Sequence, residues 1–144
     1  PITEPQMTRF SITMNEALDF ILNALKIGQG SEIFVPNLRA YSLMDVKNAL
    51  FELLENTGEE HVGIREGEKL HETLINSDEI RYAWNVGNMY MIYNQRGYND
   101  EKIKKLYPGA TKINSMESYS SNSVEKIPKE TMKKIIQSAN LINQ

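Results

Sequence analysis

The stretch from Thr13 to Pro36 constrains the fold more than any other. Thr13-Met14-Asn15-Glu16 has the spacing of a capping box, in which a threonine hydroxyl and a glutamate three positions on satisfy each other's backbone N–H groups. Leu18, Ile21, Leu22 and Leu25 follow at i, i+3, i+4 and i+7, the period of an amphipathic helix, and Gly28 and Gly30 stop it. Glu32 to Pro36, EIFVP, is short, β-branched and aromatic and closes on a proline, so it reads as a strand. A capped helix running directly into a strand points to a mixed α/β chain.

The next segments extend that order. Ser42 and Asp45 repeat the cap signature ahead of Leu43, Val46, Leu50, Leu53 and Leu54, which predicts a second helix to about Thr57-Gly58. HVGIR, residues 61–65, is expected as a second strand, and a third, shorter helix through Leu70 and Leu74 is expected after it. MYMIY, residues 89–93, reads as a strand. Gln95 to Glu125 is rich in Asn, Gly and Ser without sustained period, so loops and turns are expected, with SSNS at 120–123 the most flexible part. Pro128 opens a closing helix through Met132, Ile135, Ile136 and Ala139.

Composition narrows the partners. At 144 residues with 40% hydrophobic and 24% charged residues, the chain has the makings of one folded domain. Its net charge of −3 offers no basic field for nucleic acid or anionic lipid, so any anion must be held locally. With no cysteine there are neither disulfides nor thiolate metal sites, which suits a reducing, cytoplasmic location. The two histidines, His61 and His71, fall into no metal-ligand spacing, so no metal is expected. No apolar run reaches the roughly 20 residues of a membrane span.

The densest chemistry lies in GIREGEKLHE, residues 63–72. If a strand led through Arg65 into a turn at Gly67 and then a helix, a guanidinium, free N–H groups and a helix N-terminus would lie close together, an arrangement suited to phosphate. A neighbouring glutamate accepts from paired hydroxyls such as those of a ribose. A solvated loop whose charges face water is the competing reading of the same residues.

GIREGEKLHETLI, residues 63–75, resembles the G-I-R-P-G-E-K-L-H-E signature of the bacterial UDP-N-acetylglucosamine 4,6-dehydratase and capsular-polysaccharide epimerase/dehydratase family, which belongs to the extended short-chain dehydrogenases. The Met7-Thr8-Arg9-Phe10 motif before the first helix, GSEIFVPNLRAYSLMDV at 30–46 and ESYSSNSVEKIPKETMKKII at 117–136 are similar to the same family in the same order. The resemblance implies an α/β fold, the C-terminal part of a Rossmann-like extended short-chain dehydrogenase with its small substrate-binding lobe. Residues 1–94 would be the sugar-nucleotide-binding portion and 95–144 a loop-rich extension ending in a helix. It also implies that Arg9 and Arg65 contact a UDP pyrophosphate and that Glu68 accepts hydrogen bonds from the uridine ribose. Glu66 stands where the family has proline, which leaves the turn less pre-set. His71 and Glu72 are read as structural, and Lys69 as either a phosphate contact or a solvated side chain.

The family's chemistry uses NAD or NADP, held by a Gly-rich loop after a strand, and no such loop is present. Tyr98 and Lys102 meet a Tyr-x-x-x-Lys spacing, but nothing links them to a cofactor site. The dinucleotide-binding half is therefore expected upstream of Pro1, no cofactor is expected on this chain alone, and no residue in it is read as catalytic. Three functions compete: the UDP-sugar-binding portion of a 4,6-dehydratase/5-epimerase, the same portion of a 4-epimerase, and a non-catalytic binding or assembly module. A piece of this kind is expected to leave apolar faces uncovered and to associate through them, as a homo-oligomer would.

Overall fold

The computed structural model describes residues 1–93 and 99–138. Its elements form two compact units, each assembled from separate stretches of chain: Pro1–Ser11, Arg39–Glu72 and the residues from Ser121 on make one, and Ile12–Leu38 with Thr73–Ser120 the other.

In the first unit, β1 (Thr8–Phe10) pairs antiparallel with β3 (Ala40–Ser42), placing Arg9 opposite Tyr41. Ser42 then caps α2 (Leu43–Leu53), its hydroxyl accepting from the Asp45 N–H at 3.0 Å. α2 ends at Leu53, short of the expected Gly58, and packs on α4 (Lys129–Ser138). Ala49, with no exposed surface, lets the two helices approach, and Ile127, Met132 and Ile136 close the core with Val46, Leu50 and Leu53 around it. Glu52 ties the pair by ion pairs to Lys129 and Lys133, and the hydrogen bonds from these lysines hold its carboxyl below the ordinary 4.5.

The second unit is built on the antiparallel sheet β2-β6-β5-β7, of Ile33–Pro36 (β2), Met89–Ile92 (β6), Ala83–Val86 (β5) and Thr111–Lys112 (β7). Gly87, at φ +64, makes the tight turn between β5 and β6. Trp84, Met91, Tyr93, Ile103, Tyr107 and Ala110 form the core with α3 (Asp100–Leu106), where the period-free sequence suggested loop. A second pair, β4 (Thr73–Ile75) with β8 (Tyr119–Ser120), completes the unit. The Tyr119 hydroxyl donates to the Leu38 carbonyl at 2.9 Å and accepts from the Leu38 N–H at 2.6 Å, while its ring meets Tyr90 edge-on at 4.8 Å.

α1 (Met14–Ile27) carries the expected reciprocal cap, with Glu16 Oε2 accepting from the Thr13 N–H at 2.7 Å and the Thr13 hydroxyl from the Glu16 N–H at 3.3 Å. Its orientation is not the expected one. Leu18, Ile21, Leu22 and Leu25 are exposed, and the half-buried side is Ala17, Phe20, Ala24 and Ile27.

The α/β class is borne out, with four helices and short sheets whose strand pairings are all antiparallel among the described residues. Two further local expectations fail. Residues 61–65 form no strand beyond a single bridge from Ile2 to His61, because Gly63 at φ +78 takes the chain out of the extended region. No helix follows Gly67; the chain enters β4 instead.

Candidate functional site

Arg65, Glu66, Gly67 and Glu68 make a turn closed by the Glu68 N–H donating to the Arg65 carbonyl at 3.0 Å. Gly67 at φ +84, with Glu66 on the ordinary side, defines it as type II, which needs a positive φ at the third position and favours proline at the second. The Glu68 carboxylate locks the turn from the other side, Oε2 accepting from the Arg65 N–H at 3.0 Å. Arg65 is exposed, and among the described residues no hydrogen bond or ion pair engages its guanidinium. The phosphate site expected at a helix N-terminus is thus reduced to a turn, because the helix is absent.

Arg9 sits on the second half of the same segment. Its Nη1 donates to the Thr8 carbonyl at 2.7 Å and the Leu70 carbonyl at 3.2 Å, Nη2 reaches Met7 Sδ at 2.9 Å, and Nε lies 3.5 Å from Glu72 Oε1. The Thr8 N–H also donates to the Leu70 carbonyl, at 3.1 Å, so β1 is stitched to residues 70–72 by both backbone and side chain. Arg65 and Glu68 are brought together by the turn; Arg9 is joined instead to Leu70 and Glu72, two and four residues beyond Glu68.

Beneath Arg9 lies a polar network that sequence reasoning missed. Thr8 Oγ1 is 2.8 Å from His71 Nδ1 and 2.7 Å from Ser121 Oγ, and Ser121 Oγ donates to the Thr8 carbonyl at 3.2 Å. Ser121 Oγ accepts from the Glu72 N–H at 2.9 Å, while the Ser121 N–H donates to the Glu72 carbonyl at 2.8 Å. The expected flexibility at 120–123 therefore does not hold for Ser120 and Ser121, which are buried and bonded. His71, read from the sequence as structural, joins this network through Nδ1. The signal available was that Met7–Phe10, residues 63–72 and Ser120-Ser121 all belonged to the quoted resemblance; what could not be read was that they meet.

Among the described residues no strand leads through a Gly-rich turn into a helix. Tyr98 of the discounted Tyr/Lys pair lies outside the described residues. No cluster of metal-ligating side chains is gathered among the described residues, and none of their helices is long and apolar enough to cross a membrane.

With this geometry in hand, comparison decides the family: residues 1–94 match the model described as "Polysaccharide biosynthesis protein". The chain belongs to that family. It is 34% identical over 127 residues to a UDP-N-acetylglucosamine 4,6-dehydratase (inverting) of Campylobacter jejuni, a match covering 85% of this chain and 37% of the relative. It is 31% identical over 136 residues to a UDP-glucose 4-epimerase of Rickettsia bellii, covering 94% of this chain and 40% of that one. Among solved structures, the X-ray structure of Pen from Bacillus thuringiensis superposes with a TM-score of 0.78 at 29% identity, over 98% of this chain and 41% of that chain. The chain thus spans about two fifths of the length of these relatives.

Proposed function

We propose that this chain is the UDP-sugar-binding portion of a nucleotide-sugar 4,6-dehydratase/5-epimerase of surface polysaccharide (capsule) synthesis. Hydride chemistry on NAD or NADP would lie in a further dinucleotide-binding portion, and the chain alone would be inactive. Residues 1–94, the span of the family match, would hold the nucleotide. One observation carries the reading: in a chain of this family the type II turn holds Glu68, while among the described residues the Arg65 guanidinium has no hydrogen-bond or ion-pair partner. Glu68 uses Oε2 in the turn, and its other oxygen is open to ribose hydroxyls, while Arg65 presents a planar fork of donors to a pyrophosphate. Arg9 would take part by turning from Glu72 to the ligand.

Calorimetric titration of UDP into the chain tests this directly. The expected result is saturable binding that weakens about 10- to 100-fold in Arg65→Ala, since a charge-assisted hydrogen bond is worth roughly 1.5–3 kcal/mol. Absence of UDP binding, or an Arg65→Ala affinity equal to wild type, would overturn the reading and favour a non-catalytic binding or assembly module. A 4-epimerase is the second reading, favoured by the relatives that carry that name. NMR of the product made by an enzyme containing this portion separates the two, a 4-keto-6-deoxy sugar supporting dehydration and a C4 epimer overturning it.

A further inference from the structure

The network beneath Arg9 holds more acceptor sites than protons, and that shortage links a titratable ring to the guanidinium. Thr8 Oγ1 carries one proton and faces two partners, His71 Nδ1 at 2.8 Å and Ser121 Oγ at 2.7 Å. Ser121 Oγ likewise carries one proton and reaches two acceptors on the same residue, Thr8 Oγ1 and, at 3.2 Å, the Thr8 carbonyl. Both residues are buried, so water does not make up the difference. Two arrangements put one proton in each short contact and leave no hydroxyl proton unused. With a proton on Nδ1, the ring donates to Thr8, Thr8 to Ser121, and Ser121 to the Thr8 carbonyl. With Nδ1 bare, Thr8 donates to the ring and Ser121 to Thr8 Oγ1, and the carbonyl loses the serine.

That carbonyl is also the nearer brace of Arg9, taking Nη1 at 2.7 Å against 3.2 Å for the Leu70 carbonyl. We infer that His71 is a proton-dependent positioning residue for Arg9: a proton gained at Nδ1 is relayed through the Thr8 and Ser121 hydroxyls to the Thr8 carbonyl, which then divides between two donors and holds the guanidinium less firmly. The inference goes beyond the sugar-nucleotide reading and does not rest on it. Histidine is the side chain that exchanges a proton between about pH 5 and 8. His71 is half-buried, and its Nε2 makes no hydrogen bond among the described residues. The titratable and charged groups on the joined elements are Arg9 on β1, Tyr41 opposite it on β3, Glu68, Lys69 and Glu72 on the ring's own segment, and Glu125 and Lys126 beyond Ser121. None forms an ion pair with the ring among the described residues, and Glu72 lies instead on Arg9 Nε. The competing route from ring to guanidinium is therefore charge acting through space, which does not need the serine.

Proton–nitrogen NMR of the full chain between about pH 5 and 8 tests it. The Arg9 Nε–H resonance, assigned by its loss in Arg9→Lys, should shift with pH along the titration curve of the His71 ring itself. In His71→Asn, whose amide keeps a polar atom toward Thr8 but gains no proton, the Arg9 resonance should stand still. In Ser121→Ala the ring still titrates but the relay is cut, and the Arg9 response should be lost; Thr8→Val cuts the same relay should Ser121→Ala not fold. An Arg9 resonance that ignores pH while His71 titrates, or a His71 ring that takes up no proton in this range, would overturn the inference. So would a response that survives in the relay-cut variant, which would assign it to the charge of the ring alone.

Discussion

Replacing Ser121 by alanine tests whether the buried network is what fixes β1 to residues 70–72. The hydroxyl is fully buried and makes contacts of 2.7 Å to Thr8 Oγ1, 3.2 Å to the Thr8 carbonyl and 2.9 Å from the Glu72 N–H. Each hydrogen bond contributes a net of roughly 1 kcal/mol, and removing the hydroxyl also leaves the Glu72 N–H without that acceptor and Thr8 Oγ1 with His71 Nδ1, in a largely buried site. The expected loss is about 2–3 kcal/mol, equivalent to a fall in Tm of roughly 6–10 °C for a chain of this length. Urea unfolding followed by far-UV circular dichroism reads it as a lower midpoint at unchanged slope. Asn122→Ala, one position on and exposed, should stay within about 0.5 kcal/mol of wild type. Thr8→Val combined with Ser121→Ala should cost less than the sum of the two, because the pair shares its bonds. A Ser121→Ala loss below about 0.5 kcal/mol would show that the segments are held by packing alone.

Two further outcomes follow from single groups. Glu66→Pro should stabilise the chain by about 0.4–1 kcal/mol in the same urea assay, since proline suits the second position of a type II turn and the Glu66 N–H makes no hydrogen bond among the described residues; a destabilised variant would refute the turn assignment. Burial pushes the Tyr119 phenol up to about 12 from an ordinary 10, outweighing the Leu38 N–H that favours the phenolate. Its neutral form is thus favoured by folding, and this contribution is present below about pH 10 and lost as pH rises toward 12. Tyr119→Phe should therefore flatten the alkaline loss of stability seen in pH-dependent urea titrations. Burial also raises Tyr90 and Tyr107, so part of the slope should remain. An unchanged slope would count against the buried phenol.

The sequence was legible where local chemistry and period agreed. The caps at Thr13 and Ser42, the α2–α4 apolar faces, and the strands at 33–36 and 89–92 all formed because their side chains satisfy the element that the pattern names. It was illegible where a glycine's φ decided the path. Val62 and Ile64 alternate like a strand, yet Gly63 between them adopts φ +78 and both remain about half exposed. Leu70 and Leu74, two residues four apart, are too few to fix a period, and β4 pairing with β8 overrode them. α3 was missed although its charges announce it: Asn99 caps it, Asp100 and Glu101 open it, Lys104 and Lys105 close it. Ser121 shows the limit of composition, because a serine that solvates a loop and one that anchors a buried network look alike until the partners are known. Periodicity likewise located α1 but could not say which apolar stripe faces inward.

The arrangement of Arg9 bears on whether the nucleotide reading is energetically open. A guanidinium already engaged by two carbonyls and a carboxylate looks spoken for, yet the terms are unequal. The carbonyl bonds from Nη1 brace β1 against Leu70, and ligand binding need not disturb them. The Glu72 contact is long at 3.5 Å, with the Glu72 side chain 42% exposed, and an ion pair of that kind contributes under about 1 kcal/mol. A phosphate oxygen offered to Nε and the remaining Nη2 hydrogen would return roughly 1.5–3 kcal/mol per bond, while Glu72 kept its solvation. The exchange therefore runs in favour of the ligand, and it makes Glu72 the gate: Glu72→Gln should tighten UDP binding by a few fold if Arg9 reaches the pyrophosphate and leave it unchanged if Arg9 serves only as a brace.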